Sequence, residues 1–191
     1  MKKTMVSFII IMLLIVSQNV FGFTFRGIEI GKSLNEMPQC QMQKNLEKWS
    51  RDGYPKDKTP CWTTWSVKNE YGIESLPEID INFYNCFVRT INGKIEHIEQ
   101  YFHNSDADKF LTMLKTKYGK PLSVGTSIVQ NKMGAKVEKK TVTWKIDGCE
   151  INFSNVFKEI DMGALIISSQ KYKDFLKAKE DKTMKDAIDK L

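Results

Sequence analysis

Apolar and polar residues alternate over several stretches of this chain with the two-residue period of β-strands, interrupted by segments of helical period, the clearest over residues 105–118. Residues 25–30 set Phe25, Gly27 and Glu29 against Arg26, Ile28 and Ile30 and predict an opening strand. Gly31 ends it. Ser33-Leu34-Asn35-Glu36 then carries the serine and glutamate of a capping box for a short helix, limited by Pro38. Met42, Leu46 and Trp49 predict a second helix over residues 41–49, followed by a loop over 51–60 that Asp52-Gly53, Pro55 and Pro60 punctuate. Residues 62–67 are aromatic and β-branched, and Ile79, Ile81 and Phe83 alternate with Asp80, Asn82 and Tyr84, so both stretches read as strands. Asn92-Gly93 is the strongest short hairpin signal, because both central residues of a type I′ turn need positive φ. A two-residue turn there sets Arg89 opposite Glu96 and Val88 opposite His97, with residues 94–102 as the returning strand.

The helical period falls on residues 105–118, where Ala107, Phe110, Leu111, Leu114 and Tyr118 form one stripe that Gly119 and Pro121 end. Ser105 can cap this helix, with Asp108 three residues on. Strands follow over 123–130 and 135–146, joined by a turn at 131–134. Asp147-Gly148 then turns the chain so that Cys149, Ile151 and Phe153 fall opposite Val142, Trp144 and Ile146. Residues 165–169 make a last apolar strand. The charged tail carries two apolar clusters, Tyr172, Phe175 and Leu176, then Met184, Ala187, Ile188 and Leu191, and predicts a C-terminal helix that docks or binds a partner. Helix followed by antiparallel strands occurs twice, over 33–102 and 105–169. The expected fold is α+β: an antiparallel sheet with helices packed on one face and a C-terminal helix.

The first residues stand apart from this pattern. Lys2 and Lys3 precede an apolar run over 5–16 broken only by Ser7, and Val20-Phe21-Gly22 offers the spacing a signal peptidase accepts. The run is about 12 residues, short of the roughly 20 a membrane-crossing helix needs. Residues 1–22 therefore read as a cleaved signal peptide, 23–170 as one domain and 171–191 as an amphipathic helix or tail, which implies a periplasmic or secreted protein with no membrane span after cleavage. No Cys follows the run, which argues against a lipid anchor. Removing Lys2 and Lys3 from 29 basic residues leaves 27 against 23 acidic ones, interspersed along the chain. So mild an excess gives no nucleic-acid footprint. Four cysteines in an exported chain imply two disulfides. Of three pairings, Cys40–Cys61 closes a local loop and Cys86–Cys149 joins distant strands; these are expected to contribute about 3 and about 4 kcal/mol.

Gly27-Ile28-Glu29-Ile30-Gly31-Lys32-Ser33, followed by Glu36, resembles the opening of SmpA/BamE-like and β-lactamase-inhibitor-protein-like domains. Leu114-Lys115-Thr116-Lys117-Tyr118-Gly119-Lys120-Pro121 is similar to a helix end in the same exported domains. The resemblance implies a helix pair laid on an antiparallel sheet and a role in binding another protein. The chain departs from the pattern in its missing lipid-attachment cysteine and its long basic tail, so outer-membrane assembly is not implied.

Catalytic motifs are absent from the sequence: no Gly-x-Ser-x-Gly elbow, Walker loop, Rossmann glycine pattern or CxxC pair occurs. His97 and His103 lack neighbours at metal-ligand spacing. His97 reads as a half-buried structural residue and His103 as a solvated one. Glu74, Glu78 and Asp80, and Glu96 with Glu99, read as surface carboxylates; two acids at the right separation would do glycosidase work. Trp62 and Trp65, three apart on one strand, face opposite sides, which leaves one exposed near Cys61 as an aromatic anchor. Trp49, Tyr54, Trp62 and Trp65 are the candidate binding residues, on a face formed by residues 51–65. No cofactor, metal or catalytic residue is expected. The implied function is a non-enzymatic factor that binds another protein in the cell envelope, as an inhibitor, immunity-type or accessory protein. A small hydrolase of an envelope polymer, or a structural subunit docked through its tail, are the alternatives.

Overall fold

Two hairpin-linked runs of four strands meet in the middle of one antiparallel sheet. The computed structural model describes residues 22–40, 59–65 and 67–189. The first run contains β3 (Cys61–Thr64), β4 (Glu70–Glu74), β5 (Phe83–Ile91) and β6 (Lys94–His103). The second contains β7 (Ser123–Gln130), β8 (Lys136–Ile146), β9 (Cys149–Ser154) and β10 (Met162–Ser169). Their order is β3-β4-β5-β6-β10-β9-β8-β7, so each run starts at an outer edge and ends at the centre, where β6 pairs with β10. Helix α1 (Ala107–Tyr118) carries the chain from the centre to the far edge, and α2 (Gln170–Ile188) leaves β10 without a loop. The α+β class is as expected.

The hairpins follow from residues that accept positive φ. Asn92 and Gly93 (φ 53° and 74°) and Asp147 and Gly148 (φ 49° and 73°) form two-residue turns. The second sets Cys149, Ile151 and Phe153 opposite Ile146, Trp144 and Val142, as the alternation predicts. The expected single strand over 25–30 is instead a hairpin, β1 (Thr24–Phe25) with β2 (Ile28–Glu29), because Arg26 turns left-handed at φ 49°. That conformation is held by its own side chain. The guanidinium donates to the Pro77 carbonyl and to Gln100 Oε1, and lies 4.3 Å from the centre of the Phe83 ring. Ser33 and Glu36 make the expected capping box, on a 3-10 turn over Leu34–Glu36. Strand β4 has no counterpart in the sequence reading, because Gly72 and two glutamates dilute its apolar alternation.

Helix α1 covers one face of the sheet. Ala107, Phe110, Leu111 and Leu114 pack on a core that includes Ile98, Phe102, Trp144, Ile151, Phe153 and Leu165. The helix starts two residues after Ser105, at Ala107: a 3-10 turn over Asn104–Asp106 precedes it, and Asp106 accepts from the backbone and side chain of Asn82. At the centre, Gly163 lies opposite Phe102, and a Cβ there would sit 2.3 Å from the ring. The close approach of β10 to β6 therefore requires glycine.

A β-bulge decides which side chains reach this core. Arg89 pairs with His97 and Thr90 with Ile95, so Glu96 is an extra residue in β6. The unbulged register expected from the turn is thereby shifted by one residue. Ile95 and Ile98 are three apart and cannot both face inward from a regular strand; the bulge lets both do so. It also moves His97, Glu99 and Tyr101 to the opposite face.

Cys86 and Cys149 remain thiols, against the pairing expected from the sequence. They lie on β5 and β9 with β6 and β10 between. Three inter-strand steps span about 14 Å, whereas bridged Cα atoms lie within about 7 Å. Burial pushes Cys86 up to about 12 and Cys149 up to about 11, so neither is a nucleophile near neutral pH. The Cys40–Cys61 disulfide is present. Residues 1–21 of the expected signal peptide, the expected helix over 41–49 and most of the expected 51–60 loop, with Trp49 and Tyr54, lie outside the described residues.

Candidate functional site

The face of the sheet turned away from α1 gathers the polar and aromatic groups that the bulge displaces. In register across it stand Glu70 and Arg89, Arg89 and His97, Phe87 and Glu99, His97 and Ser168, and Tyr101 and Ala164. The Glu99 carboxylate is the hub. It accepts from His97 Nε2 at 2.9 Å, from Arg89 Nη1 and from the Tyr101 hydroxyl. Arg89 Nε donates to Glu70 at 2.7 Å, and His97 Nδ1 lies 2.8 Å from Ser168 Oγ. A carboxylate can only accept, so His97 Nε2 is the donor to Glu99. Burial alone would raise Glu99, but the hydrogen bonds from His97 and Tyr101 and the Arg89 charge outweigh it and hold the carboxyl at about 2. Burial, then the bond to Glu99, pushes Tyr101 well above its usual range. Tyr172, the one buried residue of α2, stacks on His97 at 4.3 Å and closes this end of the network.

Ser168, His97 and Glu99 have the connectivity of a hydroxyl–imidazole–carboxylate relay, but the surroundings point to scaffolding. All three are buried. Ser168 lies in the ladder between His97 of β6 and Glu150 of β9, so its backbone is not turned toward a developing oxyanion. Arg89 neutralises Glu99 from the other side, which weakens its ability to support a charged imidazole.

Beside this network runs an aromatic row. Trp65 is 50% exposed and meets Phe87 edge-on at 5.0 Å. Phe87 contacts Tyr101 at 6.0 Å, and Tyr101 stacks on Phe157 at 5.7 Å. Lys158 Nζ lies 5.3 Å from the Tyr101 ring centre and 5.2 Å from that of Phe157. The row is apolar with a cationic end, and its anchor is a large side chain half open to solvent.

The two tryptophans do face opposite sides. Trp62 packs against the core, donates Nε1 to the Met37 carbonyl at 3.0 Å and meets Tyr71 edge-on. The carboxylates do not form one group. Glu78 and Asp80 are exposed, with Asp80 paired to Lys109, and burial raises Glu74. Glu96 and Glu99, expected on the surface, are buried: Glu96 accepts from Ser169 at 2.7 Å and Lys171 at 2.9 Å. His97 is buried rather than half-buried. Among the described residues no group of three or more His, Cys, Asp or Glu is placed to hold a metal. An open groove of about 260 Å³ lies elsewhere, between Gly27 and Pro60; its Lys32 pairs with Glu29 at 3.3 Å and Glu36 at 3.9 Å.

Sequence reasoning missed Glu70, Phe87, Arg89, Tyr101, Phe157 and Lys158. The period break at Ile95 and Ile98 is the signal that could have found Phe87, Arg89 and Tyr101, since it implies the bulge and the shared face. No family model matches the chain, and neither a curated protein nor a solved structure matches it significantly.

Proposed function

We propose that this protein is an exported, non-enzymatic factor that binds another protein of the cell envelope through the aromatic face around Trp65. The observation that carries the reading is the exposed Trp65 ring seated on Phe87, with a buried, fully paired charge network alongside it on the same face. Rigid support lowers the ordering cost of binding, and an aromatic anchor of this kind is the usual centre of an interface. The Cys40–Cys61 disulfide supports an oxidising compartment. No described helix is long and apolar enough to cross a membrane.

The test is a crosslinking pull-down from the native envelope extract with the wild-type protein and Trp65→Ala, followed by affinity measurement on the captured partner. One dominant, stoichiometric protein is expected, bound about 30-fold more weakly by Trp65→Ala, the loss for truncating an anchor worth about 2 kcal/mol. Retention of glycan fragments, with no protein partner, would replace this reading by one directed at an envelope polymer. Equal affinity of both forms would move the interface away from Trp65.

A further inference from the structure

The outer strand β7 is finished unlike any other edge in this molecule. Residues 122–130, Leu-Ser-Val-Gly-Thr-Ser-Ile-Val-Gln, hold no charge and no proline, the two devices that ordinarily blunt an edge strand. Val124 and Ile128 are 63% and 65% exposed and lie on one face, two residues either side of Thr126. Asn131 N–H donates to the Ala135 carbonyl, which marks the odd-numbered residues as those bonded to β8. By alternation, the N–H and C=O groups of Val124, Thr126 and Ile128 point outward from the sheet.

We infer that β7 pairs with β7 of a second copy of this chain, antiparallel, with the twofold axis at Thr126. The segment is self-complementary in that register and in no other that uses all of it. Val124 meets Ile128 of the second copy and Ile128 meets Val124, two β-branched cross-strand pairs flanking a Thr–Thr pair. All three are hydrogen-bonded positions, so about six backbone bonds close across the axis. Lys120 and Lys132 are each six residues from the axis and fall opposite one another at both ends. These like charges oppose the pairing at low salt, so it grows stronger as salt screens them. β7 is the far end of the sheet from Trp65, so the dimer leaves both aromatic faces open.

Sedimentation velocity on the purified protein across micromolar concentrations should show a monomer–dimer equilibrium that shifts toward dimer as salt is raised. Ile128→Lys should be monomeric with an unchanged circular dichroism spectrum. Met133→Lys, at the 92% exposed turn residue, should dimerise as the wild type does. Placed at the axis, Thr126→Cys brings two Cα atoms to about 5.5 Å and should give a covalent dimer under mild oxidation. Ser123→Cys, whose copies are offset by about 20 Å along the strands, should not. Cys86 and Cys149 are buried and do not compete. A wild type that stays monomeric at every salt concentration would overturn the inference, as would an Ile128→Lys dimer or equal crosslinking at 123 and 126. Tighter association at low salt would mean that opposite charges on another surface of the two copies hold them together and would also overturn it.

Discussion

The two halves of the sheet share their connectivity and differ in how they are finished. The first half ends in β3, a four-residue strand that the chain itself seals. Cys40 N–H donates to the Trp62 carbonyl at 2.9 Å, Trp62 N–H donates to Pro38 at 3.0 Å, and the disulfide ties Cys40 to Cys61. Its outer face holds the Glu70–Arg89–Glu99–His97 network. The second half ends in the uncovered eight-residue β7, and its corresponding face carries lighter pairings: Thr143 to Asn152 at 2.8 Å, and Asn152 to Glu150 at 3.0 Å. The first half is thus held by a buried charge network and a disulfide, the second mainly by the local register of its three hairpins. One edge is satisfied within the chain, and the other leaves its hydrogen-bonding groups for another molecule.

The sharpest way to break this contrast is Glu99→Ala. It strips Arg89 and His97 of their shared carboxylate and should cost about 3–5 kcal/mol of stability in urea unfolding, as loss of one partner in a buried ion pair does. A smaller effect comes from acid. The Glu99 carboxyl sits at about 2 in the folded protein, below its ordinary value of 4.5. Its contribution, about 3 kcal/mol, is therefore fully present above about pH 4.5 and disappears as pH falls through about 2. Urea midpoints measured over that window should fall with pH in the wild type and flatten in Glu99→Gln. Smallest of the three is the seal. Reduction, or Cys40→Ser, opens a loop with a sequence separation of 21 and should cost roughly 2–3 kcal/mol in thermal unfolding.

Much of the architecture was legible in particular residues. Asn92-Gly93 and Asp147-Gly148 announced their turns, the Ala107–Phe110–Leu111–Leu114 stripe its helix, and Trp62 against Trp65 their opposite faces. The site was less so. Trp65 could be nominated from sequence, but its seat on Phe87 and the partners of Glu99 could not, because both depend on which strands lie side by side. β4 escaped because Glu70 and Glu74 break its apolar run, and the partner of Glu70, Arg89, lies on the neighbouring strand where no local pattern reveals it.

Helix α2 shows the same division: its periodicity was plain, yet only Tyr172 is buried, while Phe175, Leu176, Met184 and Ile188 stay exposed. The sequence by itself determined what acts over a few residues: turn conformations, helical period, the β8–β9 register and the short Cys40–Cys61 loop. Tertiary structure alone decided the order of the strands, and with it the separation of Cys86 from Cys149. It also decided the bulge at Glu96, because only the need to bury Ile95, Ile98 and Phe102 together favours a one-residue shift that flips every later side chain of β6. His97, Glu99 and Tyr101 became a network as the consequence of that packing.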